Sequence, residues 1–582
     1  MTSLVFDIET DDLDATKIWC VSICDIDTEK VSSYYGDTLI EGIKKLEKAD
    51  KLIGHNIIGF DIPVIKELLN IDLSNKILVD TLVLSRLFNP VREGNHGLES
   101  WGYRVKLPKI DFKEYDTFSK EMVVYCERDV LINKKVYDVL CKEKSGFSRE
   151  SIDLEQSICG IIDKQRKKGF LLDVKFATLL NALLQDKLNE TVKEVHKEFK
   201  PEENTLILYP IKTAANKLSK MAVDSDGKRY RLNSEEYDTL NEQDQIKRIK
   251  RTEFNLGSRK QIGEYLQKFG WKPKNFTPTG QPIVDEGTLR RIKDIPQAQL
   301  IADYLMYQKR IAQIKSWLEK ADDSGRVHGF VNTNGTITGR MTHREPNLAQ
   351  VPSPTSPYGM DCRSCWIVPP GFKLVGIDAA SLELRMLAHY MNDKEFTNEV
   401  LTGDIHTANQ KLAGLESRTQ AKTFIYAFIY GAGNEKLGTV VGGGSRDGQQ
   451  LKQRFLANLP SLANLKNRVT RAAEKGHIKG LDGRKIFIRS VHSALNALLQ
   501  GAGAIVMKKA LQLLNEYILE KNLDAHFVAN IHDEWQIEVT EKDAKEVGEL
   551  GVLAIKNAGL AFDMRCPLDG EYNIGDNWYE TH

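Results

Sequence analysis

The fold of this chain is decided by Leu374-Val-Gly-Ile-Asp378-Ala-Ala-Ser381-Leu-Glu383 and, later, by Val528-Ala-Asn-Ile-His532-Asp533-Glu534. In each segment a short apolar run ends at an aspartate, a pattern typical of a buried strand that runs out to the surface. We therefore expect Asp378 and Asp533 at an edge where a sheet meets solvent. Two carboxylates in such a position can hold divalent metal ions.

Between the two aspartates, the residues Arg418, Lys422, Tyr426 and Tyr430 recur at every fourth position. On a helix this spacing places all of them on one face. Arg418 and Lys422 can clamp a triphosphate, since arginine offers a planar fork and lysine a point charge. Aromatic residues at helical spacing are usually core residues, but cations on the same face favour a nucleotide-binding face here. Metal-binding carboxylates beside such a helix indicate nucleotidyl transfer, with Lys422 among the catalytic groups.

A second acidic set lies near the N-terminus. Asp7 and Glu9 are two positions apart in a strand-like run, so they point to the same face. Asp61 follows, and later Asp129, one helical turn after Tyr125. Carboxylates gathered in one pocket repel one another unless Mg²⁺ or Mn²⁺ neutralises them. Asp7 and Glu9 alone would fit a solvated strand end. The full set indicates a two-metal site that cleaves a phosphodiester, with Tyr125 orienting the water.

Bulk properties limit the class of protein. At 582 residues the chain should form about three or four domains, and its 81 basic and 81 acidic residues cancel. Zero net charge does not exclude DNA binding, because affinity for the backbone depends on local charge. No apolar stretch is long enough to span a bilayer and the N-terminus lacks the layout of a signal peptide, so we expect a cytoplasmic protein. Cys362 and Cys365 form a lone CxxC pair, which favours reduced structural thiols over zinc.

The motifs resemble known families. The N-terminal set resembles DEDD-type 3′–5′ exonucleases of the subgroup with tyrosine before the last aspartate. The C-terminal segments resemble motifs A, B and C of family A (Pol I-like) DNA polymerases, specifically the replicative polymerases of T-seven-type bacteriophages. Further matching segments are Asp80–Arg86, Leu98–Tyr103, Thr338–Arg340, Pro346–Gln350, Ser356–Gly359, Gly403–Thr407, Lys479–Lys485, Leu495–Gln500 and Asn577–His582.

This resemblance implies an α/β multidomain chain, with a ribonuclease H-like exonuclease domain followed by a right-hand polymerase domain of thumb, palm and fingers. The implied activity is DNA-templated addition of dNTPs to a primer 3′-hydroxyl, with proofreading. The expected boundaries are 1–145 for the exonuclease, 146–325 for the thumb and connecting helices with a variable insertion at about 201–254, 326–390 and 496–582 for the palm, and 391–495 for the fingers.

The resemblance also implies roles for residues around the metals. It places two Mg²⁺ ions in each site, with Mn²⁺ able to substitute. In the polymerase site the ligands would be Asp378, Asp533 and the carbonyl of Ala379. In the exonuclease site they would be Asp7, Glu9, Asp61 and Asp129.

Substrate-binding roles follow in the same way. The triphosphate would be bound by Arg418, Lys422 and His406. Glu383 would pair with Tyr426 to close the 2′ side of the sugar, and tyrosine rather than phenylalanine at position 426 implies ready acceptance of dideoxynucleotides. Tyr430 would guard the template base. The residues expected to track the DNA are Arg340, Asn496, Gln500 and His532.

The stretch 201–254 is polar and is predicted to be irregular, with a basic run at Lys247–Arg251. In the phage relatives an insertion at this place captures a host thioredoxin. Three interpretations are open: a reduced thioredoxin-binding loop, a different processivity device, or a solvated loop that touches DNA through its basic run. Expected partners are primer-template DNA, dNTPs, a phage helicase-primase and a single-strand-binding protein, in the cytoplasm of an infected bacterium and without a membrane.

Other functions were weighed against this one. A single-subunit RNA polymerase shares the palm, but Glu383, the motif His532-Asp533-Glu534 and the proofreading domain argue against it. A silent DNA-binding scaffold would have lost metal carboxylates, and none is missing here. A polymerase with an inactive exonuclease is compatible with the sequence. Glu534 fits two roles equally well, a residue that orients the metals or a solvent-facing carboxylate at a strand end.

Overall fold

A computed structural model describes residues 2–213 and 215–582, with Glu202, Asn204, Lys250 and Thr252 described by their backbone alone. The chain divides into two compact units. Unit 1 comprises Met1–Asp173 and Lys320–His582, and unit 2 comprises Val174–Glu319. Unit 1 is thus built from two separate stretches of chain. Within the described residues, no helix combines the length and the apolar character needed to cross a membrane.

Unit 1 begins with a mixed five-stranded sheet in the order β3-β2-β1-β4-β5. Its strands are β1 Ser3–Thr10, β2 Ile18–Asp25, β3 Val31–Tyr35, β4 Lys51–Gly54 and β5 Ile77–Asp80, and the helices between and after them are α1 Leu39–Lys48, α2 Asp61–Leu69, α3 Thr81–Phe88, α4 Leu98–Arg104 and α5 Lys120–Glu143. The central strand β1 pairs antiparallel with β2 and parallel with β4. This alternation of strands and helices confirms the predicted α/β fold class.

A long helix and a short strand join the two stretches of unit 1. Helix α6 (Arg149–Lys168) begins at Ser148, whose hydroxyl accepts a hydrogen bond from the Ser151 amide. Strand β6 (Phe170–Leu172) follows at once. It pairs antiparallel with the two-residue strand at Arg326–Val327, which lies just after the chain returns from unit 2.

Unit 2 is more ordered than its sequence predicts. Its elements are α7 Val174–Glu198, β7 Glu202–Lys212, β8 Leu218–Val223, β9 Arg229–Arg231, α8 Ser234–Glu242, β10 Ile246–Thr252, α9 Arg259–Lys268, α10 Glu286–Arg290 and α11 Pro296–Lys320. Ser258 caps helix α9, with its hydroxyl accepting from the Gln261 amide. The expectation of an irregular stretch at 201–254 is wrong, because β10, β7, β8 and β9 form a four-stranded antiparallel sheet.

The strand β10 explains why the sheet was missed. Ile246 is buried in a small core with Leu208, whereas Lys247, Ile249 and Arg251 on the other face are exposed. A strand with one solvated face alternates apolar and polar residues. In β10 charged residues also occupy part of the inner face, where the Arg248 guanidinium pairs with a carboxylate of helix α8. The basic run therefore lies on a sheet rather than on a loop, and the side chain of its Lys250 lies outside the described residues.

The remainder of unit 1 contains the elements from residue 326 onward. Its strands are β11 Arg326–Val327, β12 Phe330–Asn332, β13 Thr342–Arg344, β14 Trp366–Ile367, β15 Phe372–Ala379, β16 His477–Lys479, β17 Lys485–Phe487, β18 Ala525–Ile531, β19 Glu534–Thr540 and β20 Gly570–Gly575. Its helices are α12 Gly359–Ser364, α13 Leu382–Met391, α14 Lys394–Thr402, α15 Ile405–Ala413, α16 Arg418–Ile429, α17 Asn434–Gly438, α18 Ser445–Asn458, α19 Pro460–Ala473, α20 Ala494–Glu520 and α21 Ala544–Ala561.

An antiparallel sheet in the order β18-β19-β15-β20 lies at the centre of this region. Strand β15 is buried along Leu374–Ile377 and ends at Asp378 and Ala379, as the apolar run predicts. A large apolar core joins this sheet to α13, α16, α20 and α21. Cys362 and Cys365 are both buried and are not joined by a disulfide, in agreement with structural thiols.

Candidate active sites

The sheet brings Asp378 and Asp533 to the same end. Asp378 on β15 lies opposite Glu534 on β19, and the amide of Ala379 donates to the carbonyl oxygen of Asp533 at 3.1 Å. His532 adopts a positive φ of 58° in the tight turn between β18 and β19. The turn therefore presents the Asp533 carboxylate beside the end of β15.

Electrostatics mark these two carboxylates as a pair. Loss of solvation and the charge of Asp533 raise the pKa of Asp378 to about 7. Loss of solvation and the charge of Glu383 raise the pKa of Asp533 to about 6. Gathered carboxylates whose charge is destabilised in this way suit a hard divalent cation with oxygen ligands, so the residues present fit Mg²⁺. No ion pair within the described parts of the chain engages Asp378 or Asp533.

Glu534 is fixed in the interior. It is 6% exposed, and its Oε1 accepts hydrogen bonds from the indole of Trp578 at 2.6 Å and the amide of Gln536 at 2.7 Å. Its Oε2 lies 3.1 Å from Nδ1 of His582. Burial alone would raise the pKa of Glu534, but the hydrogen bond and charge of His582 hold it below its usual value. The interpretation of Glu534 as a solvent-facing carboxylate is therefore wrong.

Helix α16 carries the predicted cationic and aromatic face. Ser417 caps the helix by accepting from the Gln420 amide. Lys422 is exposed, whereas Nε of Arg418 donates to Oδ2 of Asp404 at 2.8 Å. The sequence did not single out Asp404, which also caps helix α15. The triphosphate-binding candidates on this face thus include one arginine that is already paired.

The His406 ring joins this group. Its centroid lies 6.1 Å from that of Tyr426. Burial and then the charges of Arg418 and Lys422 lower the pKa of His406. The structure therefore brings together the three residues expected at the triphosphate, Arg418, Lys422 and His406.

The partner of Glu383 differs from the expectation. Oε1 of Glu383 accepts a hydrogen bond from the hydroxyl of Tyr430 at 2.9 Å, and a guanidinium nitrogen of Arg340 lies 3.4 Å away. The predicted pairing of Glu383 with Tyr426 is not formed. Helix α16 ends at Ile429, and Tyr430 is the capping residue that follows it, whose hydroxyl reaches Glu383. Tyr426 stacks on Tyr430 with centroids 6.4 Å apart.

The candidate DNA-tracking residues fall into two groups. Arg340 and His532 line one small cavity together with Asp533. Asn496 and Gln500 lie one turn apart on α20, and Oδ1 of Asn496 is buried without a hydrogen-bond partner. Because α20 at position 501 packs close to the carbonyl of residue 338, the second group lies near the segment that carries Arg340.

The N-terminal carboxylates also converge. Oxygen atoms of Asp7 and Glu9 on β1 lie within 4.8 Å of each other and of the Cys126 sulfur. Asp61, at the start of α2, accepts from the Ile8 amide at 3.2 Å. Asp129 on α5 lies beside Tyr125, one turn earlier. Cys126 also belongs to this pocket, although no motif indicates it, and its thiol contacts both the backbone and the side chain of Asp7.

This second cluster is strongly charged and buried. Burial, followed by the charge of Asp61, raises the pKa of Asp7 well above its usual value. Burial, followed by the charge of Asp129, raises the pKa of Glu9 to about 9. Oδ1 of Asp129 is buried without a hydrogen-bond partner. An orphaned carboxylate oxygen beside gathered carboxylates fits Mg²⁺ or Mn²⁺ ligands.

Lys109 is a further residue that sequence reasoning missed. Its Nζ lies 2.5 Å from Oδ2 of Asp129. It belongs to the non-helical segment between α4 and α5, which contains none of the motifs quoted above. No local periodicity or spacing could have placed it in the site.

Comparisons with known proteins show the families to which the two parts of the chain are similar. The model of DNA polymerase family A matches residues 229–580, and that of the RNase H superfamily matches residues 4–101. The DNA-directed DNA polymerases of Enterobacteria phage T3 and Escherichia phage T7 are each 33% identical to this chain. Each alignment is 706 positions long and covers 100% of both chains. A solved structure of the POL domain of Pol1 from M. smegmatis, in complex with DNA primer-template and dNTP, has a TM-score of 0.78. It is 18% identical and covers 100% of this chain and 96% of that one, which shows the fold.

Proposed function

The chain belongs to DNA polymerase family A and is a phage-type DNA-directed DNA polymerase with an RNase H-like exonuclease domain, and from this premise we propose which residues perform its two reactions. The polymerase site consists of Asp378 and Asp533 on the β15–β19 edge, facing the cationic side of α16. The observation that carries this assignment is the Ala379 amide bound to the Asp533 carbonyl, which fixes the two acidic positions side by side.

Family A polymerases are metal-dependent, generally on Mg²⁺. We propose two ions in each site, held in the polymerase site by Asp378, Asp533 and the Ala379 carbonyl. Bound ions would activate the primer 3′-hydroxyl and stabilise the charge of the triphosphate. Lys422 and His406 bind the phosphates of the incoming dNTP. Arg418 joins them by exchanging its Asp404 partner for phosphate. A carboxylate and a phosphate both present anionic oxygens that fit the forked guanidinium group.

Sugar and base selection fall to the residues around Glu383. Its carboxylate closes the 2′ side of the sugar, held in place by Tyr430 and Arg340. Tyr426 presents its ring to the sugar, and Tyr430 also guards the template base. Asn496, Gln500, Arg340 and His532 track the minor groove, where correct base pairs present shared acceptors.

For the exonuclease we propose that Asp7, Glu9, Asp61 and Asp129 hold two Mg²⁺ or Mn²⁺ ions. Tyr125 orients the water that attacks the terminal phosphodiester. The support for this assignment is the convergence of the carboxylates on one buried pocket and the unpartnered Oδ1 of Asp129. Such groups require cations before they can all be charged.

The domain assignment is also a proposal. We assign the exonuclease to 1–145, the thumb and connecting helices to 146–325, the palm to 326–390 and 496–582, and the fingers to 391–495. The sheets around Asp7 and Asp378, and the helices α14–α19, support these limits. Unit 2 corresponds to most of the assigned thumb region.

Primer-template DNA and dNTPs are the substrates, and we propose a phage helicase-primase and a single-strand-binding protein as further partners in the host cytoplasm. For the sheet at 201–254 we retain a thioredoxin-like factor and direct DNA contact as competing functions. Primer extension on a long template with trap DNA separates them. If a bacterial thioredoxin lengthens short products, the sheet is a partner-binding device. If products are long without it, the enzyme holds DNA unaided.

The test of the site assignments uses paired variants of the full chain. Asp533→Ala should abolish synthesis and retain 3′–5′ digestion, whereas Asp7→Ala with Glu9→Ala should do the reverse. The exposed residues Asp14 and Glu520 supply matched alanine controls that should change neither activity. Synthesis by Asp533→Ala would refute the polymerase assignment, and digestion by the double variant would refute the exonuclease assignment.

A further inference from the structure

Lys109 places a fixed positive charge inside the exonuclease site. Its Nζ is 2.5 Å from Oδ2 of Asp129 and 4.6 Å from the ring centroid of Tyr125. Its side chain is 23% exposed and that of Asp129 is 5% exposed. A buried ion pair at this distance is a charge-assisted hydrogen bond, much stronger than a surface pair.

The segment that carries Lys109 is anchored on both sides of it. The carbonyl of Pro108 accepts from Arg128 at 3.3 Å, and the carbonyl of Tyr115 accepts from the Trp19 indole at 2.9 Å. The ring of Phe112 packs against that of Tyr125, with centroids 5.3 Å apart. The ammonium is therefore held over the site by packing, rather than by its own chain alone.

The ion pair divides the two oxygens of Asp129 between two roles. Oδ2 is bound by Lys109, while Oδ1 is buried without a hydrogen-bond partner. An ion bound at Oδ1 would share one carboxylate with the ammonium, and the two cations would repel each other. An orienting partner typically improves metal affinity by about 10–100-fold. Repulsion between a monovalent and a divalent cation on one buried carboxylate exceeds that gain, because Coulomb energies are large at such separations in a protein interior.

We propose that Lys109 is a built-in competitor of the exonuclease metals, which binds Asp129 when divalent ions are scarce and raises the ion concentration at which the site fills. This inference rests on the proposed function of Asp129 as a metal ligand. The polymerase carboxylates differ, since no ion pair of the described residues involves Asp378 or Asp533. Lys109 thus makes the balance between synthesis and proofreading depend on the divalent ion concentration.

Direct metal binding provides the first test. Mn²⁺ is titrated by electron paramagnetic resonance into full-length Lys109→Met, Lys109→Arg and the parent enzyme, all carrying Asp533→Ala. Lys113→Met is the matched control, because Lys113 lies on the same segment with its side chain 81% exposed. Lys109→Met should bind the exonuclease-site Mn²⁺ roughly tenfold or more tightly. The Arg and Lys113 variants should resemble the parent, and unchanged or weaker binding by Lys109→Met would overturn the proposal.

One further variant separates this proposal from the assignment of the site. Asp7→Ala with Glu9→Ala should lose the Mn²⁺ ion that the parent binds in this region. If the ion persists, the exonuclease assignment itself fails. If the ion is lost but Lys109→Met binds as the parent does, only the role of Lys109 fails.

A second measurement needs no substitution in the site. In the unaltered enzyme, the Mg²⁺ concentration for half-maximal 3′–5′ digestion should be several-fold higher than that for half-maximal synthesis. Equal or lower Mg²⁺ demand for digestion would contradict the proposal, even if the Lys109 variants failed to fold.

Discussion

The hydroxyl of Tyr430 donates a hydrogen bond to Oε1 of Glu383, with 2.9 Å between the oxygen atoms. This bond fixes the carboxylate that we assign to the 2′ side of the sugar. Tyr426, one turn earlier, stacks on the Tyr430 ring and makes no hydrogen bond through its hydroxyl to any described residue. The two tyrosines therefore differ in function. Tyr430 holds the Glu383 carboxylate, and the Tyr426 hydroxyl is available to substrate.

Tyr426→Phe should discriminate against dideoxynucleotides. The hydroxyl of Tyr426 can replace the missing 3′-hydroxyl in the site, and loss of one such charge-assisted contact corresponds to about 1.5–3 kcal/mol, or roughly 10–100-fold. Competition between dTTP and ddTTP on one template measures the ratio. An unaltered ratio in Tyr426→Phe would remove its role at the sugar edge.

Tyr430→Phe should instead weaken the exclusion of ribonucleotides. Without the hydroxyl, Glu383 keeps only the longer contact with Arg340, at 3.4 Å, and can move away from the 2′ position. We expect ribonucleotide incorporation to rise by up to about tenfold, in line with the loss of one hydrogen bond. Alkaline cleavage of the product counts the ribonucleotides. If the exclusion of ribonucleotides depended on Tyr426 and not on Tyr430, this assignment would be reversed.

Glu534→Ala should destabilise the folded state of unit 1. The substitution leaves the Trp578 indole without its acceptor and removes the charge opposite Arg363 and His582. Breaking a buried charge pair on one side costs about 3–5 kcal/mol. Urea unfolding followed by Trp fluorescence measures the change, and Glu541→Ala on an exposed position serves as control. Equal midpoints for the two variants would show that the interior contacts of Glu534 contribute little.

His55 should make the exonuclease part of unit 1 sensitive to acid. Burial lowers the pKa of His55 to about 3, whereas unfolded histidine titrates near 6.5. Below pH 6.5 the unfolded chain takes up a proton that the folded chain refuses, so stability falls progressively as the pH drops towards 3. At pH 5 the loss is about 1–2 kcal/mol. His55→Gln should flatten the dependence of urea unfolding on pH, and the exposed His492→Gln should leave it as steep as in the parent.

Glu155→Ala should disrupt a buried charge cluster. Oε1 and Oε2 of Glu155 accept from Nζ of Lys508 at 2.7 and 2.8 Å, and Arg484 donates to the same carboxylate. Removal of the acid leaves Lys508 buried without its carboxylate, whereas Arg484 keeps its ion pair with Asp482, and breaking a buried charge pair on one side costs about 3–5 kcal/mol. Asp153→Ala on the same helix is the control, because Asp153 is 65% exposed. Thermal unfolding that is the same for both variants would contradict this reasoning.

Local sequence patterns predict those parts of the site that are formed by residues close together in the sequence. The strand ending at Asp378 and the face of α16 follow from spacing within a few residues. Sequence could not place Lys109, because the contact with Asp129 is formed across a segment without periodicity. It also could not reveal the burial of Glu534, whose partners Trp578 and His582 lie more than forty residues away.

The sheet of unit 2 was missed for another reason. Strand β10 has charged residues on its outer face and Arg248 on its inner face. They weaken the alternation of apolar and polar residues that identifies a strand. The bond between Glu383 and Tyr430 was missed because helical spacing places Tyr426 and Tyr430 on one face and cannot say which of them reaches Glu383. In both cases tertiary packing decided among conformations that the local sequence allowed.

Strand β6 pairs with β11, so the chain leaves unit 1 and returns to it through adjacent antiparallel strands. The segment between β6 and β11 thus begins and ends at two paired strands, which hold its two ends next to each other. A gain or loss of residues within it leaves the strand register of unit 1 undisturbed, and the entropy of closing a longer loop rises only slowly with its length. Unit 2 can therefore be lengthened or shortened without disturbing the strands that carry the catalytic residues.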